Sequence, residues 1–181
     1  FITFRLGDSL PEPLLREWRE ERNRWLSAHP PPLGAEDEQE YHRRFSASID
    51  AWLDAGHGSC LLAESVCRGA VEEAMRFFDG ERHELLSWVL MPNHVHACVL
   101  LHPAWPLEKV VHSWKRRSAG EINRRLGSRG RIWMRDYFDR LIRDGEHLRN
   151  VIRYIRRNPA KARLESGRYT LWESDLAEAV I

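Results

Sequence analysis

Cysteine is scarce in this sequence of 181 residues, and long apolar runs are lacking. Cys60, Cys67 and Cys98 are an odd number without Cys-x-x-Cys spacing, which argues against a disulfide scaffold and predicts a reduced, cytoplasmic protein. No apolar run approaches the roughly 18 residues of a membrane helix, and no secretory signal opens the chain. We therefore expect no membrane partner. Because the chain begins at Phe1, we also expect that upstream residues are missing.

Repeats and low-complexity tracts are also lacking, while apolar residues make up 43% and charged residues 30% of the chain. This composition predicts a single folded domain with a real core. The net charge of +1 conceals an uneven distribution. It is −7 over residues 1–102, +11 over 103–168 and −3 over 169–181. So basic a segment is typical of a protein that binds a polyanion. Coding bias could explain why 25 of the 28 basic residues are Arg, but not why they cluster.

The hydrophobic pattern predicts an α+β fold. The expected strands are 1–6, 84–90, 94–101 and 136–142. The expected helices are 14–28, 36–54, 66–79, 107–126 and 144–157. This order favours a ferredoxin-like, four-stranded antiparallel sheet with helices on one face, in which strands one and three are neighbours. We expect one domain over 1–165, a helical insertion over 12–68 and a loosely packed tail over 166–181.

His94 and His96 are the first candidates for chemistry. Residues two apart in a strand point the same way, so both imidazoles project from one face while Val95 enters the other. Two imidazoles at that distance can bind one divalent metal ion. From the spacing alone, two partly exposed polar residues are the simpler interpretation.

Tyr154 and Asn158 lie four residues apart on the last expected helix and therefore share a face. A tyrosine at the edge of the core, with its hydroxyl in water, is the simpler interpretation of the spacing. Three arginines flank Tyr154, namely Arg153, Arg156 and Arg157. They form either a solvated helix face or a set of phosphate contacts.

The expected helix 107–126 is strongly basic. Its candidate DNA-binding residues are Lys115, Arg116, Arg117, Arg124 and Arg125. Trp114 and Trp133 lie among the basic residues of this part of the chain, and charge with aromatic faces is typical of proteins that bind single-stranded nucleic acid. Core packing is the alternative for each tryptophan.

Four ordered motifs resemble those of the REP-associated tyrosine transposases, which belong to the HUH single-tyrosine transposases of insertion sequences. The motifs are Trp-Val-Leu-Met-Pro-Asn-His-Val-His at 88–96, Trp-Met-Arg-Asp-Tyr-Phe-Asp at 133–139, Ile-Arg-Asp-Gly-Glu-His-Leu-Arg at 142–149 and Tyr-Ile-Arg-Arg-Asn-Pro-Ala-Lys-Ala at 154–162. The resemblance covers residues 82–164 and the first strand. It is weak over 12–68 and after 165.

This resemblance implies an HUH endonuclease fold and a bacterial, cytoplasmic enzyme that works as a monomer or homodimer. It implies that His94 and His96 hold Mg²⁺ or Mn²⁺, with Asn158 as a third ligand. Tyr154 would be the nucleophile that cleaves single-stranded DNA beside repeat hairpins and forms a 5′-phosphotyrosine. The chain departs from the family pattern at Cys98, Met134 and Arg163, which are not the central positions.

Three alternatives stay open. A domesticated relative of these transposases would bind repeat hairpins without cleaving them. A nucleotide hydrolase of histidine-triad type would also use alternating histidines, but Cys98 stands at the third histidine of that pattern. Tyr137 is a rival nucleophile, although its aromatic neighbour in a short strand favours packing.

Overall fold

The computed structural model describes residues 1–180 and has a five-stranded sheet at its centre. The strands are β1 (Ile2–Arg5), β2 (His83–Leu90), β3 (His94–Leu101), β4 (Phe138–Asp139) and β5 (Thr170–Glu173). Their order is β4-β1-β3-β2-β5, and every neighbouring pair is antiparallel. The expected α+β class and the pairing of the first and third strands are therefore confirmed.

Helices surround this sheet. They are α1 (Glu12–Ala28), α2 (Ala35–Tyr41), α3 (Ala47–Asp54), α4 (Ser65–Arg76), α5 (Leu107–Leu126), α6 (Gly145–Lys161) and α7 (Asp175–Ala179). A π-helical turn, His42–Ser46, joins α2 to α3, so the expected helix 36–54 is one nearly continuous run. Within residues 1–180, none of the helices combines the length and apolar character required to cross a bilayer.

The fifth strand differs from the expected four-stranded sheet. The C-terminal segment, expected to be a loosely packed tail, pairs with β2 through β5; Ile181 lies outside the described residues. Arg68 on α4 ties this segment to the body, because its guanidinium donates to the carbonyls of Leu62 (2.8 Å) and Gly167 (2.6 Å) and to Thr170 Oγ1 (3.0 Å). Hydrogen bonds between residues far apart in the sequence stabilise β5. The hydrophobic periodicity of the sequence does not reveal such bonds.

Helices cover both faces of the sheet, not one as expected. On one face α4 and α5 pack against Phe4, Trp88 and Val95 in the main core. On the other face α6 packs through Val151 and Ile155 onto a second cluster that includes strand residues of β2 and β3. Side chains alternate along β3, so His94 and His96 project to the α6 side, opposite Val95.

Helix α6 begins where the sequence predicts and ends later. Asp144 caps it, accepting a 2.7 Å hydrogen bond from the His147 amide. The prediction that Asn158-Pro159 ends the helix is wrong, because α6 continues through Pro159 to Lys161. Proline removes one backbone donor, but the ladder resumes at Ala162, whose amide donates to the Asn158 carbonyl at 3.0 Å. Asn158 therefore remains on a regular helical face.

The helices that follow β1 lie over one end of this second face. A small core of their own holds them together, centred on Leu10, Leu15 and Leu53. Two ion pairs join them to the region of α6, with Arg143 on Glu38 at 2.9 Å and Lys161 on Asp54 at 2.8 Å. We call the helices α1, α2 and α3 with their connections the roof (residues 12–54).

Candidate active site

The two histidines of β3 face each other at the centre of the sheet. His94 Nε2 and His96 Nε2 are 3.1 Å apart, and each residue is only 1% exposed. Strand geometry brings both rings to one side, and burial holds them in one arrangement. The two nitrogen atoms can therefore bind a single ion together.

The outer nitrogen of each imidazole has a polar partner. Asn93 Oδ1 lies 2.8 Å from His94 Nδ1, and Thr3 Oγ1 lies 2.7 Å from His96 Nδ1. Asn93 donates its own amide protons to the carbonyls of Leu53 (3.2 Å) and His57 (3.1 Å), so its oxygen must accept. His94 therefore carries its proton on Nδ1 and presents an unprotonated Nε2, as a metal-binding histidine does.

Tyr154 lies directly beside this pair. Its hydroxyl oxygen is 3.4 Å from His96 Nε2, and the two ring centroids are 5.1 Å apart. The contact exists because α6 packs on the face of the sheet that carries the histidines. The structure thus brings together two strand residues and a helix residue about 60 positions away, which the sequence analysis had linked only through the family resemblance.

Asn158 is buried on the same face of α6, one turn after Tyr154. It is 1% exposed, and its Oδ1 and Nδ2 make no well-formed hydrogen bond among residues 1–180, although its amide lies near the Tyr154 hydroxyl. Buried polar atoms are rarely left unpaired, and such an exception calls for an explanation. A bound ion would satisfy the amide oxygen.

The donor set at this site fits a divalent metal ion. Within residues 1–180, no group of three or more His, Cys, Asp or Glu side chains is arranged to hold a metal ion. A metal at the histidine pair therefore needs a ligand of another kind, and the amide oxygen of Asn158 is the candidate on the same face of α6 as Tyr154. The two imidazole Nε2 atoms lie only 3.1 Å apart, close enough for one cation to contact both.

Burial keeps the histidines neutral. It lowers the pKa of His94 to about 3, with a smaller effect from the positive charge of Lys161. The pKa of His96 is likewise held well below its ordinary value by burial, then by His94 and Lys161. Neutral imidazole is the form that binds metals, so protons do not compete for these nitrogens near neutral pH.

The phenol of Tyr154 is held in its protonated form. Its pKa is raised, first by burial and then by the negative charge of Asp50 on α3. Burial also raises the pKa of Asp50 itself. A phenol in this setting is a poor nucleophile until a positive charge arrives nearby. The site therefore contains a phenol whose deprotonation a bound cation would favour.

The arginines of α6 differ from one another. Arg153 and Arg157 are exposed and have no ion-pair partner in the described part of the chain. Arg156 is paired with Glu173 of β5 at 2.7 Å. Arg153 and Arg157 can contact phosphates beside Tyr154 without breaking an ion pair. Arg156 would first have to break its ion pair with Glu173.

The basic residues of α5 lie on the opposite face of the sheet from the histidine pair. Lys115 donates to the carbonyls of Met134, Arg135 and Asp136, and burial lowers its pKa to about 8. Its role is therefore to hold the loop before β4, which speaks against the expected contact with DNA.

The other arginines of α5 are more accessible. Arg124 and Arg125 both bind Glu121, whose pKa falls to about 2 through these hydrogen bonds. Arg116 is exposed, and the exposed guanidinium of Arg117 stacks 3.4 Å from the ring centre of Phe77. Arg116 and Arg117 therefore remain exposed on a face separate from the Tyr154 site, while Arg124 and Arg125 are held by carboxylates.

The aromatic residues near α5 are packed rather than presented to solvent. Trp114 and Trp133 are 1% and 4% exposed, and the Trp133 indole donates to Ser118 Oγ at 2.9 Å. The interpretation of these tryptophans as stacking platforms is therefore wrong. Tyr137 packs against the main core and makes no hydrogen bond to the histidine pair within residues 1–180.

Thr3 and Asn93 are site residues that the sequence analysis did not identify as such. Asn93 lies in a quoted motif directly before His94, a position from which it could have been suspected. Thr3 had no such signal, because its contact depends on the register that pairs it with His96 across β1 and β3.

Comparison with known proteins agrees with this geometry. The family model for IS200-like transposases matches residues 63–158, more than half of the chain, and the match includes both histidines, Tyr154 and Asn158. Neither a curated protein nor a solved structure matches the chain. Membership implies a transposase-type DNA endonuclease with a DNA substrate and a dependence on divalent metal. The chain belongs to the IS200-like transposase family.

Proposed function

We propose that this transposase cleaves and rejoins single-stranded DNA through a covalent bond to Tyr154, in a reaction that depends on a divalent metal ion. The observation that carries the proposal is the 3.4 Å approach of the Tyr154 hydroxyl to His96 Nε2. A nucleophile and a pair of metal-binding nitrogens at this separation can act on the same phosphodiester group.

His94, His96 and Asn158 would hold the metal ion. When bound, it would withdraw negative charge from the scissile phosphate and favour the phenolate of Tyr154. We propose Mg²⁺ or Mn²⁺, and the two imidazole ligands favour Mn²⁺, since Mg²⁺ prefers oxygen ligands.

The chemical step conserves the phosphodiester bond. The Tyr154 hydroxyl loses its proton, and its oxygen attacks phosphorus to form a 5′-phosphotyrosine. The bond from phosphorus to the 3′ oxygen breaks, and that oxygen leaves as a free 3′-hydroxyl. Attack by another 3′-hydroxyl on the phosphotyrosine then joins strands and releases the tyrosine, so no external energy source is needed.

The substrate of Tyr154 in this proposal is a DNA strand held by the exposed arginines of α6. Arg153 and Arg157 flank the nucleophile and are suited to phosphate oxygens. Because the Tyr154 hydroxyl approaches His96 within a single chain, we further propose that one subunit contains a complete active site. The resemblance to REP-associated transposases supports a hairpin as the recognised DNA.

A hairpin-binding protein without cleavage is the second candidate. The neutral histidine pair, the partnered Nδ1 atoms and the unpaired Asn158 amide favour cleavage, since binding alone requires none of them. The histidine-triad hydrolase has less support, because Cys98 packs in the second cluster, where burial raises the pKa of its thiol to about 11.

Incubation with labelled hairpin DNA, single-stranded flanks and Mn²⁺ tests the proposal on denaturing gels. The wild-type chain should form a covalent protein–DNA product that chelation of the metal prevents. Tyr154→Phe should bind the hairpin with unchanged affinity and form no such product, while Tyr137→Phe should still form it. Covalent product from Tyr154→Phe would refute the assigned nucleophile, and its absence from the wild type would favour the binding protein.

A further inference from the structure

A cavity lies between the roof and the β1–β4 edge of the sheet. Its volume is about 450 Å³, within the range of small-molecule sites. Three of its lining residues also belong to the active site. Thr3 contacts His96, Asp50 lies beside Tyr154, and the Phe1 ring packs on both His96 and Tyr154 with centroids 5.6 and 5.7 Å away. The cavity therefore borders the site formed by the histidine pair and Tyr154.

Two guanidinium groups in this cavity have no carboxylate partner. Arg5 donates only to Ser9 Oγ at 3.2 Å, and Arg22 donates to the Tyr41 hydroxyl at 2.6 Å; neither forms an ion pair within residues 1–180. The carboxylates of Asp50 and Asp136 also line the cavity, but within residues 1–180 neither forms an ion pair with Arg5 or Arg22. Both guanidinium groups are half-buried, and each retains donors for an anion. Their arrangement suits an anionic ligand.

Aromatic side chains form the other walls of the cavity. The Arg22 guanidinium carbon lies 5.6 Å from the ring centroids of both Trp18 and Tyr41, while Tyr137 and Phe138 line the sheet side. Arginine among aromatic rings is the combination by which proteins bind single-stranded nucleic acid, with bases stacked on rings and phosphates on guanidinium groups.

We propose that this cavity binds one unpaired nucleotide of the substrate strand, next to the phosphate that Tyr154 attacks. The inference rests on the proposed function. Arg5 and Arg22 hold the phosphate of that nucleotide, and its base stacks between the roof and β4. The roof thereby selects the strand segment that enters the active site. It lies outside residues 63–158, the part of the chain that the family model matches.

Paired substitutions on α1 test this assignment. Arg22→Gln removes a cavity cation, and Arg24→Gln is the matched control, since Arg24 is exposed on the same helix and donates only to the Glu20 carbonyl. The probe is hairpin DNA with randomised single-stranded flanks. Arg22→Gln should weaken binding about tenfold and reduce the slope of log affinity against log salt by about 0.7, while Arg24→Gln changes affinity less than about twofold.

Photo-crosslinking provides a measurement that needs no cavity variant. With 5-iododeoxyuridine in the flank, the full chain carrying Tyr154→Phe should crosslink at Trp18, Tyr41, Tyr137 or Phe138. Crosslinks confined to other surfaces, or equal binding by Arg22→Gln and Arg24→Gln, would overturn the nucleotide site while leaving covalent attachment by the wild type intact. Failure of that attachment would instead overturn the proposed function.

Discussion

Replacing Thr3 with valine would test whether the outer contacts of the histidine pair prepare it for a metal ion. Valine has nearly the shape of threonine, so the packing of β1 is preserved while Oγ1 is lost. His96 Nδ1 would then lose its 2.7 Å partner in a position that is 1% exposed. Thr3 would then no longer fix the tautomer and orientation of the His96 ring.

The size of the effect follows from the role of this contact. Loss of a hydrogen bond to the outer nitrogen of a metal-bound histidine typically costs about 10- to 100-fold in metal affinity. An unpaired buried nitrogen also costs about 1–3 kcal/mol of folding free energy. We expect Thr3→Val to weaken Mn²⁺ binding by that factor with a modest loss of stability.

Titration of Mn²⁺ followed by electron paramagnetic resonance of the free ion measures this affinity directly. Thr3→Ser is the matched variant, because it keeps the hydroxyl and should bind Mn²⁺ nearly as well as the wild type. Equal affinities for Thr3→Val and the wild type would refute the reasoning. An equal loss in Thr3→Ser would show that packing, rather than the hydrogen bond, matters.

Two further predictions concern the nucleophile and its helix. Asp50→Asn removes the negative charge that is, second to burial, the cause of the raised pKa of Tyr154. At saturating DNA, the pH profile of covalent attachment should therefore move to lower pH. An unmoved profile would contradict this reasoning. Asp144→Ala removes the cap of α6 and should cost about 1 kcal/mol, or about 2–4 °C in the melting temperature, whereas Asp144→Asn should cost less. A melting curve of Asp144→Ala identical to that of the wild type would show that the cap adds nothing.

The local elements of this protein could be predicted from hydrophobic periodicity. The strands β2 and β3 and the helices α1, α5 and α6 lie close to their expected positions. The predicted end of α6 was wrong, because a proline removes one backbone hydrogen bond but does not force a helix to end. The strand β5 was missed because its pairing with β2 is sustained by contacts such as that of Arg68 with Thr170, about 100 residues apart.

The predicted DNA-binding residues differ in how available their charges are in the folded chain. A cluster of basic residues in the sequence does not reveal which charges are already engaged. In the folded chain Lys115 binds backbone carbonyls and Arg125 binds two glutamates, while Arg153 and Arg157 remain accessible. Whether a charge is free depends on neighbours that only the tertiary structure brings close.

Backbone geometry alone places His94 and His96 on one side of a strand and Tyr154 and Asn158 on one side of a helix, but the family resemblance was needed to single them out as site residues. The docking of α6 onto the histidine face, the partners Thr3 and Asn93, and the cavity under the roof depend on register and on packing between distant segments. Those arrangements are set by the burial of whole surfaces against each other, which no local pattern records.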